Sequence, residues 1–125
     1  MDLETVITLL DGEIVSRQVD LQKQVTGGAA ADLMSDVLAF ARPDSVLLTG
    51  LIHPQVVRTA EMAGILAIAF VRDKQPPPET VALAEEIGIP LLSTRYTMYE
   101  ACGRLYAAGL LASNPAELDH LMDKV

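Results

Sequence analysis

Two stretches, PQVVRTAEMAGILAIAFV from Pro54 to Val71 and PETVALAEEIGIPLLST from Pro78 to Thr94, carry the fold in their spacing. Offset by 24 residues, they match Pro54 with Pro78, Val57 with Val81, Ala60-Glu61 with Ala84-Glu85 and Gly64-Ile65 with Gly88-Ile89. Each Pro suits the first turn of a helix, where no amide hydrogen is needed. Each Gly suits the end, because it adopts the left-handed conformation that terminates a helix, and the following Ile packs back on the last turn. An apolar strand follows in each unit, Leu66 to Val71 and Leu91 to Thr94. Upstream, Ser45 to Gly50 is a continuous apolar run of the kind buried on both faces of a parallel sheet. The order strand, helix, strand, helix, strand predicts parallel strands joined by right-handed crossovers. Two units are too few for a solenoid. The expected fold class is therefore α/β, a three-layer, mostly parallel sheet flanked by helices.

Working outward, Asp2 caps a short helix with Glu4 in its first turn, and Asp11-Gly12 ends it. Glu13 to Ser16 and Gln22 to Thr26 read as short strands. Gly27-Gly28 then break the chain and open a helix in which Leu33, Val37 and Phe40 or Ala41 recur at helical spacing, closed by Pro43-Asp44. Downstream, Thr97 and Glu100 fit a capping box ahead of an apolar stripe, Met98, Ala101, Cys102, Leu105 and Ala108. After Ser113-Asn114-Pro115, Leu118, Leu121, Met122 and Val125 predict a last amphipathic helix with an acidic outer face. One domain over residues 1–125 is expected, with a helical extension from about residue 115.

Composition narrows the function. With 125 residues, 50% of them apolar and 21% charged, the chain has a globular balance. Nine Lys and Arg against seventeen Asp and Glu leave a net charge of −8, which repels phosphate backbones and anionic lipid surfaces, so neither nucleic acid nor membrane is expected as a partner. A single cysteine, Cys102, excludes an intrachain disulfide and any zinc site of several thiolates, and suits the cytoplasm. The longest apolar run, Gly64 to Val71, is far below the roughly 18 to 20 residues that cross a bilayer. The start, with Asp2 and Glu4 before Val6 and Ile7, is the reverse of a signal peptide.

In open parallel sheets ligands bind beyond the carboxyl ends of the strands. Those ends bring together Thr49, Gly50 and His53, then Arg72 and Asp73, then Ser93, Thr94 and Arg95. Hydroxyls, an imidazole and guanidinium groups can hold a phosphate or carboxylate; equally, Thr49, Ser93 and Thr94 can cap helices and satisfy turns. Thr26, Gly27 and Gly28 offer amides for an anion nest or, alternatively, a tight turn. They match neither the dinucleotide fingerprint nor the phosphate loop. Asp32 and Asp36, four apart on one expected helix face, repel one another; a solvated acidic face accounts for them better than a metal site with His53. His53 as a general base lacks a nucleophile nearby in sequence. Cys102, on the apolar stripe, reads as a buried inert thiol, and Tyr96, Tyr99 and Tyr106 as cover for core or subunit interface.

Val25-Thr26-Gly27-Gly28 followed by Ala31-Asp32-Leu33-Met34-Ser35-Asp36-Val37-Leu38 resembles the signature stretch of the DRTGG domain family, and Ala84 to Thr94 resembles its closing segment. The similarity spans roughly Leu3 to Leu111, and the family is itself similar to the amino-terminal domain of HPr kinase/phosphorylase. Gln24 and Val25 stand where the Asp-Arg of the family name is expected. The resemblance implies a regulatory or ligand-sensing module, elsewhere attached to enzymes such as phosphotransacetylases or inorganic pyrophosphatases, and here expected to stand alone. It implies no catalytic residue and no cofactor, and it implies dimer formation, with the helix after Thr97 as interface candidate.

The expected function is a noncatalytic regulatory domain, a homodimer, binding a small phosphorylated ligand or nucleotide at the strand carboxyl ends through Thr26, Gly27, Gly28, Thr49, Gly50, His53, Arg72, Ser93 and Thr94. Two alternatives stand beside it. One is a pure interaction or dimerisation module without ligand, holding a second copy or a partner enzyme through Leu105, Leu110, Leu111 and the last helix. The other is an enzyme built on His53, Asp32 and Asp36.

Overall fold

A computed structural model describes residues 1–17 and 19–115. Helix α1 (Leu3–Leu9) starts where Asp2 Oδ1 accepts from the Thr5 amide at 2.8 Å and its hydroxyl at 2.6 Å. Next come β1 (Glu13–Ile14), β2 (Gly27–Ala30), α2 (Met34–Phe40) and β3 (Ser45–Thr49). The repeated units supply α3 (Pro54–Ala63) with β4 (Ala67–Phe70), and α4 (Pro78–Ile87) with β5 (Leu91–Ser93). Helix α5 (Met98–Ala107) closes the series. The repeat behaves as its residues require. Gly64 and Gly88 end their helices at φ 72° and 92°, and the amides of Ile65 and Ile89 each donate back to Ala60 and Ala84, at 2.9 Å in both copies.

The five strands form one sheet in the order β1-β5-β4-β3-β2, parallel except for β1 against β5. Alternation along the strands divides the core between two faces. Leu47, Ile68, Phe70 and Leu91 meet α2, α3 and α4 through Val37, Val56, Val57, Ala60 and Ala84. Val46, Leu48, Ala67, Ala69 and Leu92 face α1 and α5, packing with Leu3, Val6, Ala101 and Leu105. Each fully buried Val, Leu, Ile or Phe contributes about 1.5–3 kcal/mol, so the central strands β3 and β4, buried throughout, anchor both layers. The three-layer, mostly parallel architecture matches the sequence expectation.

Several local expectations are corrected. Gln22 to Thr26 makes no ladder; Gln24 only bridges Asp2, and the strand begins at Gly27. Gly27-Gly28 therefore neither break the chain nor open a helix. Their reason is packing: a Cβ on Gly27 would lie 2.8 Å from Ser113 Cα, so a side chain there would collide with the returning backbone. Helix α2 starts only at Met34 and buries Met34 and Val37, while Leu33 and Phe40 remain 61% and 59% exposed. Asp32 consequently lies outside the helix, and Asp32 and Asp36 do not share a helix face. At α5 the Thr97 hydroxyl accepts from the Glu100 amide at 3.3 Å. The expected helix over residues 115–125, with His120, Leu118, Leu121, Met122 and Val125, lies outside the described residues apart from Pro115. Among the described residues no helix is long and apolar enough to cross a membrane.

Candidate functional site

The carboxyl ends of β2, β3 and β4 converge on one backbone position, Gly50. Its amide donates to Asp32 Oδ1 at 2.7 Å, from the loop after β2, and its carbonyl accepts from Lys74 Nζ at 3.0 Å, from the loop after β4. Asp32 Oδ1 also accepts from the Thr49 hydroxyl at 3.0 Å, which in turn accepts from the Leu51 amide at 3.1 Å. The loops after β2, β3 and β4 are thus tied to the end of β3 by side chains where the ladder stops. Gly50 is buried, and the ends of three charged side chains close over it. A Cβ there would stand 3.5 Å from Asp32 Oδ1, 3.5 Å from Lys74 Nζ and 3.6 Å from Arg72 Nη2.

The cations reach this point through a strained turn. Arg72 and Asp73 both take left-handed conformations, φ 58° and 57°, in a tight reversal closed by the Lys74 amide donating to Val71 O at 3.3 Å. Two consecutive non-glycine residues there cost energy that surrounding structure must offset. The offset is visible: the Arg72 amide donates to Tyr96 O at 2.8 Å and the Asp73 amide to Thr94 O at 2.9 Å. Among the described residues neither Arg72 nor Lys74 pairs with a carboxylate within 4.0 Å. Arg95, by contrast, is engaged, 3.5 Å from Asp11 and stacked with Arg104 on Tyr96.

The remaining residues singled out by sequence divide. His53, exposed, precedes α3 at the same end of the sheet, and its carbonyl accepts from the Val56 amide. Thr49, Ser93 and Thr94 are buried with their hydroxyls engaged internally: Ser93 donates to Lys74 O and accepts from Gln75 Nε2, and Thr94 donates to Leu10 O at 2.6 Å. Thr26 and Gly27 lie at the opposite, amino end of the sheet, Thr26 donating to the carbonyls of Pro43 and Asp44. Gly28, one residue on, is bridged to Ala112. The structure therefore brings together Thr49, Gly50, His53 and Arg72, with Ser93 and Thr94 behind them, and leaves Thr26, Gly27 and Gly28 elsewhere. Sequence reasoning missed Lys74 and the tying role of Asp32. The signal available was position: each falls within a few residues of a strand's carboxyl end. Among the described residues no three His, Cys, Asp or Glu side chains gather as for a metal ion.

A second feature is apolar. Edge strand β2 and α5 enclose a groove of about 420 Å³ lined by uncharged residues, including Ala30, Leu48, Cys102, Tyr106, Leu110 and Leu111. Tyr99 and Tyr106 border it 92% and 65% exposed. Burial pushes the Cys102 thiol above its ordinary value, which keeps it protonated and unreactive at neutral pH. The segment after Leu110 covers part of the edge, with the Gly28 amide donating to Leu111 O and the Ser113 amide to Gly28 O.

No family model and no curated protein sequence matches this chain. Its fold is similar to a solved structure of the CBS and DRTGG domains of the regulatory region of Clostridium perfringens pyrophosphatase, in complex with its activator, diadenosine tetraphosphate. The TM-score is 0.63 at 15% identity, over 91% of this chain and 47% of that one, so the present chain spans about half the length of that structure. At the level of fold, the likeness supports a DRTGG-like α/β domain.

Proposed function

We propose that this chain acts in the cytoplasm as a noncatalytic regulatory module that holds a small anionic ligand over Gly50, with Arg72 and Lys74 as the cationic contacts. The observation that carries it is the charge gathered at the end of β3: in a chain of net charge −8, two cations without an ion-pair partner among the described residues stand together over Gly50. The strained turn supports it, since backbone held in a costly conformation clusters at functional positions. A pyrophosphatase regulatory region of similar fold carries a nucleotide activator, which supports a phosphorylated ligand and a nucleotide among the candidates. His53 is exposed and, among the described residues, its side chain makes no hydrogen bond that would orient it as a base.

The test is thermal denaturation with AMP, ATP and inorganic phosphate. Binding to the folded state at a hundred times Kd adds about 2.7 kcal/mol, a shift of several degrees. Arg72→Ala should lose that shift while keeping the wild-type melting temperature in buffer. Absence of any shift at millimolar concentrations of all three overturns the proposal.

The uncharged groove favours a second reading, in which this face forms a homodimer or receives a partner enzyme. Large exposed apolar areas on a soluble chain mark interaction surfaces, and Tyr99, Tyr106 and Leu111 are exposed together here. Light scattering of wild type against Tyr106→Glu tests it: a dimer converted to a monomer supports self-association, and a wild-type monomer at all concentrations refutes it.

A further inference from the structure

The groove between β2 and α5 contains a glycine that the described fold does not require. Gly103 lies in the interior of α5, where glycine weakens a helix relative to alanine. Its φ is not positive, and among the described residues nothing stands within 4 Å of where its Cβ would be. Neither backbone conformation nor crowding therefore calls for glycine here. The effect of the missing side chain is to keep the groove open between Tyr99 and Tyr106, about one helical turn to either side.

The chain itself supplies an occupant. Its last described residues run along the wall of the groove: Leu111 and Ala112 line it. The exit is pinned just beyond, where the Arg42 amide donates to Ser113 Oγ at 2.7 Å and Arg42 Nη2 donates to Asn114 Oδ1 at 3.1 Å. After Pro115 the sequence is AELDHLMDKV, in which Leu118, Leu121, Met122 and Val125 have the spacing of one helix face. As helix, Leu118 to Val125 rises about 10.5 Å, the same as Tyr99 to Tyr106 on α5. Leu118 is six residues beyond Ala112, a tether of up to about 20 Å, longer than that span. A helix this short is marginal in water unless its apolar face is packed, and the described lining of the groove is uncharged throughout.

Two other arrangements fit less well. The cleft on the α2 side of β2 is smaller, about 270 Å³ against about 420 Å³, and has Asp36 in its lining. A second copy brings a further charge of −8, and it must compete with a segment that a short tether holds at about millimolar effective concentration.

We infer that residues 116–125 form a helix lying in the β2–α5 groove of the same chain, with the Leu118, Leu121 and Met122 stripe against Cys102, Gly103 and Tyr106. This goes beyond the association read for that face above: the segment closes the face to a second copy or a partner enzyme until it is displaced. It is independent of the anion site over Gly50.

Cys102 is the only cysteine, so disulfide trapping in the full chain tests the placement. Leu118→Cys, Leu121→Cys and Met122→Cys are made singly, with His120→Cys and Asp123→Cys as controls on the opposite helix face. Under mild oxidation at least one stripe position should form an intrachain disulfide with Cys102 about tenfold or more faster than either control. Disulfides that form equally fast at stripe and control positions overturn the inference, and so do disulfides that link two chains instead of one, which assign the groove to a second copy. A second measurement needs no new cysteine. In alkaline buffer, where part of the thiol ionises, maleimide should label Cys102 about tenfold or more faster in Leu121→Glu than in wild type. Equal rates overturn the inference, and wild-type protection that disappears on dilution overturns it in favour of a second copy. If the cysteine variants do not fold, the labelling comparison decides alone.

Discussion

Replacing Gly50 by alanine separates the fold from the site. Gly50 is not among the glycines with positive φ, so alanine can adopt its backbone conformation. The added methyl would find its nearest neighbours at 3.5, 3.5 and 3.6 Å, ordinary van der Waals contact, and all three are ends of flexible side chains. Removing the freedom of glycine from the unfolded chain stabilises by about 0.4–1 kcal/mol where the native conformation is compatible. Partial desolvation of Asp32, Lys74 and Arg72 by the methyl opposes this, so the melting temperature should stay within about 5 °C of wild type. Binding should behave differently, because a methyl in contact with all three charged ends shifts Arg72 and Lys74 from the places where they would hold an anion. Losing one or two charge-assisted hydrogen bonds at about 1.5–3 kcal/mol each weakens binding by one to three orders of magnitude. Differential scanning calorimetry gives the first quantity and titration with AMP the second. A Gly50→Ala protein that melts near wild type and binds AMP with wild-type affinity would refute the assignment of Arg72 and Lys74 over Gly50 to a ligand.

Three further perturbations probe the frame around it. Gly27→Ala places a Cβ 2.8 Å from Ser113 Cα and 3.1 Å from its nitrogen, both backbone, so the 111–113 segment must shift; a loss of about 1–3 kcal/mol in urea unfolding and faster hydrogen exchange at Gly28 and Ser113 are expected. Asp73→Gly removes one of two strained residues and should raise the urea midpoint by about 0.5 kcal/mol equivalent, whereas Asp73→Val should lower it. Asp2 is held below its ordinary value of 3.8 by the Thr5 hydroxyl and then by the Thr5 amide. Its folded value lies under its unfolded one, so its contribution is full above about pH 5 and lost as pH falls through the folded value; the stability gap between wild type and Asp2→Ala should hold at neutral pH and close below 3.8.

The legible parts of the chain were those whose signals are local. Pro54 with Gly64, and Pro78 with Gly88, mark helix starts and stops by backbone chemistry that no tertiary contact overrides, and the apolar runs beside them have only one place to go. The illegible parts depend on segments distant in sequence. Gly27-Gly28 looks like a turn in isolation; parallel pairing with Ser45 to Leu48 of β3 makes it a strand, and the return of Ser113, 86 residues on, is what leaves no room for a side chain at Gly27. Leu33 and Phe40 fit a helical stripe in spacing, yet the start of α2 at Met34 rotates the buried face onto Met34 and Val37. For the proposed site, strand ends were readable, and Thr49, Gly50, His53 and Arg72 lie at one end of the sheet as their positions imply. Lys74 was not readable, because its role comes from reaching back to the Gly50 carbonyl across a turn whose geometry rests on Thr94 and Tyr96.

The topology itself explains why a ligand would rest on the rim over β3. Strands β2 to β5 lie in unbroken sequential order, and their connecting helices α2, α3 and α4 all cover one face. An order of this kind contains no reversal among the parallel strands, so the crevice that doubly wound sheets open between adjacent strands does not arise from it. After α2, α3 and α4 the chain returns to the face of α1 only after β5, where α5 crosses to that layer. The gap that this divergence would open beside β4 is bridged by the bonds from Arg72 to Tyr96 and from Asp73 to Thr94. Those two bonds hold the turn and its cations against the exit of β5, while Lys74 reaches back to the Gly50 carbonyl at the end of β3 on the other side. Breaking the bridge should therefore cost binding before it costs the fold: Arg72→Pro, which lacks the donor to Tyr96 and cannot adopt positive φ, should lose AMP binding and shift hydrogen exchange at Asp73 and Lys74, while the amides of β3 and β4 keep wild-type protection. Loss of protection throughout β3 and β4 would show instead that the turn holds the sheet together and that its strain serves stability alone.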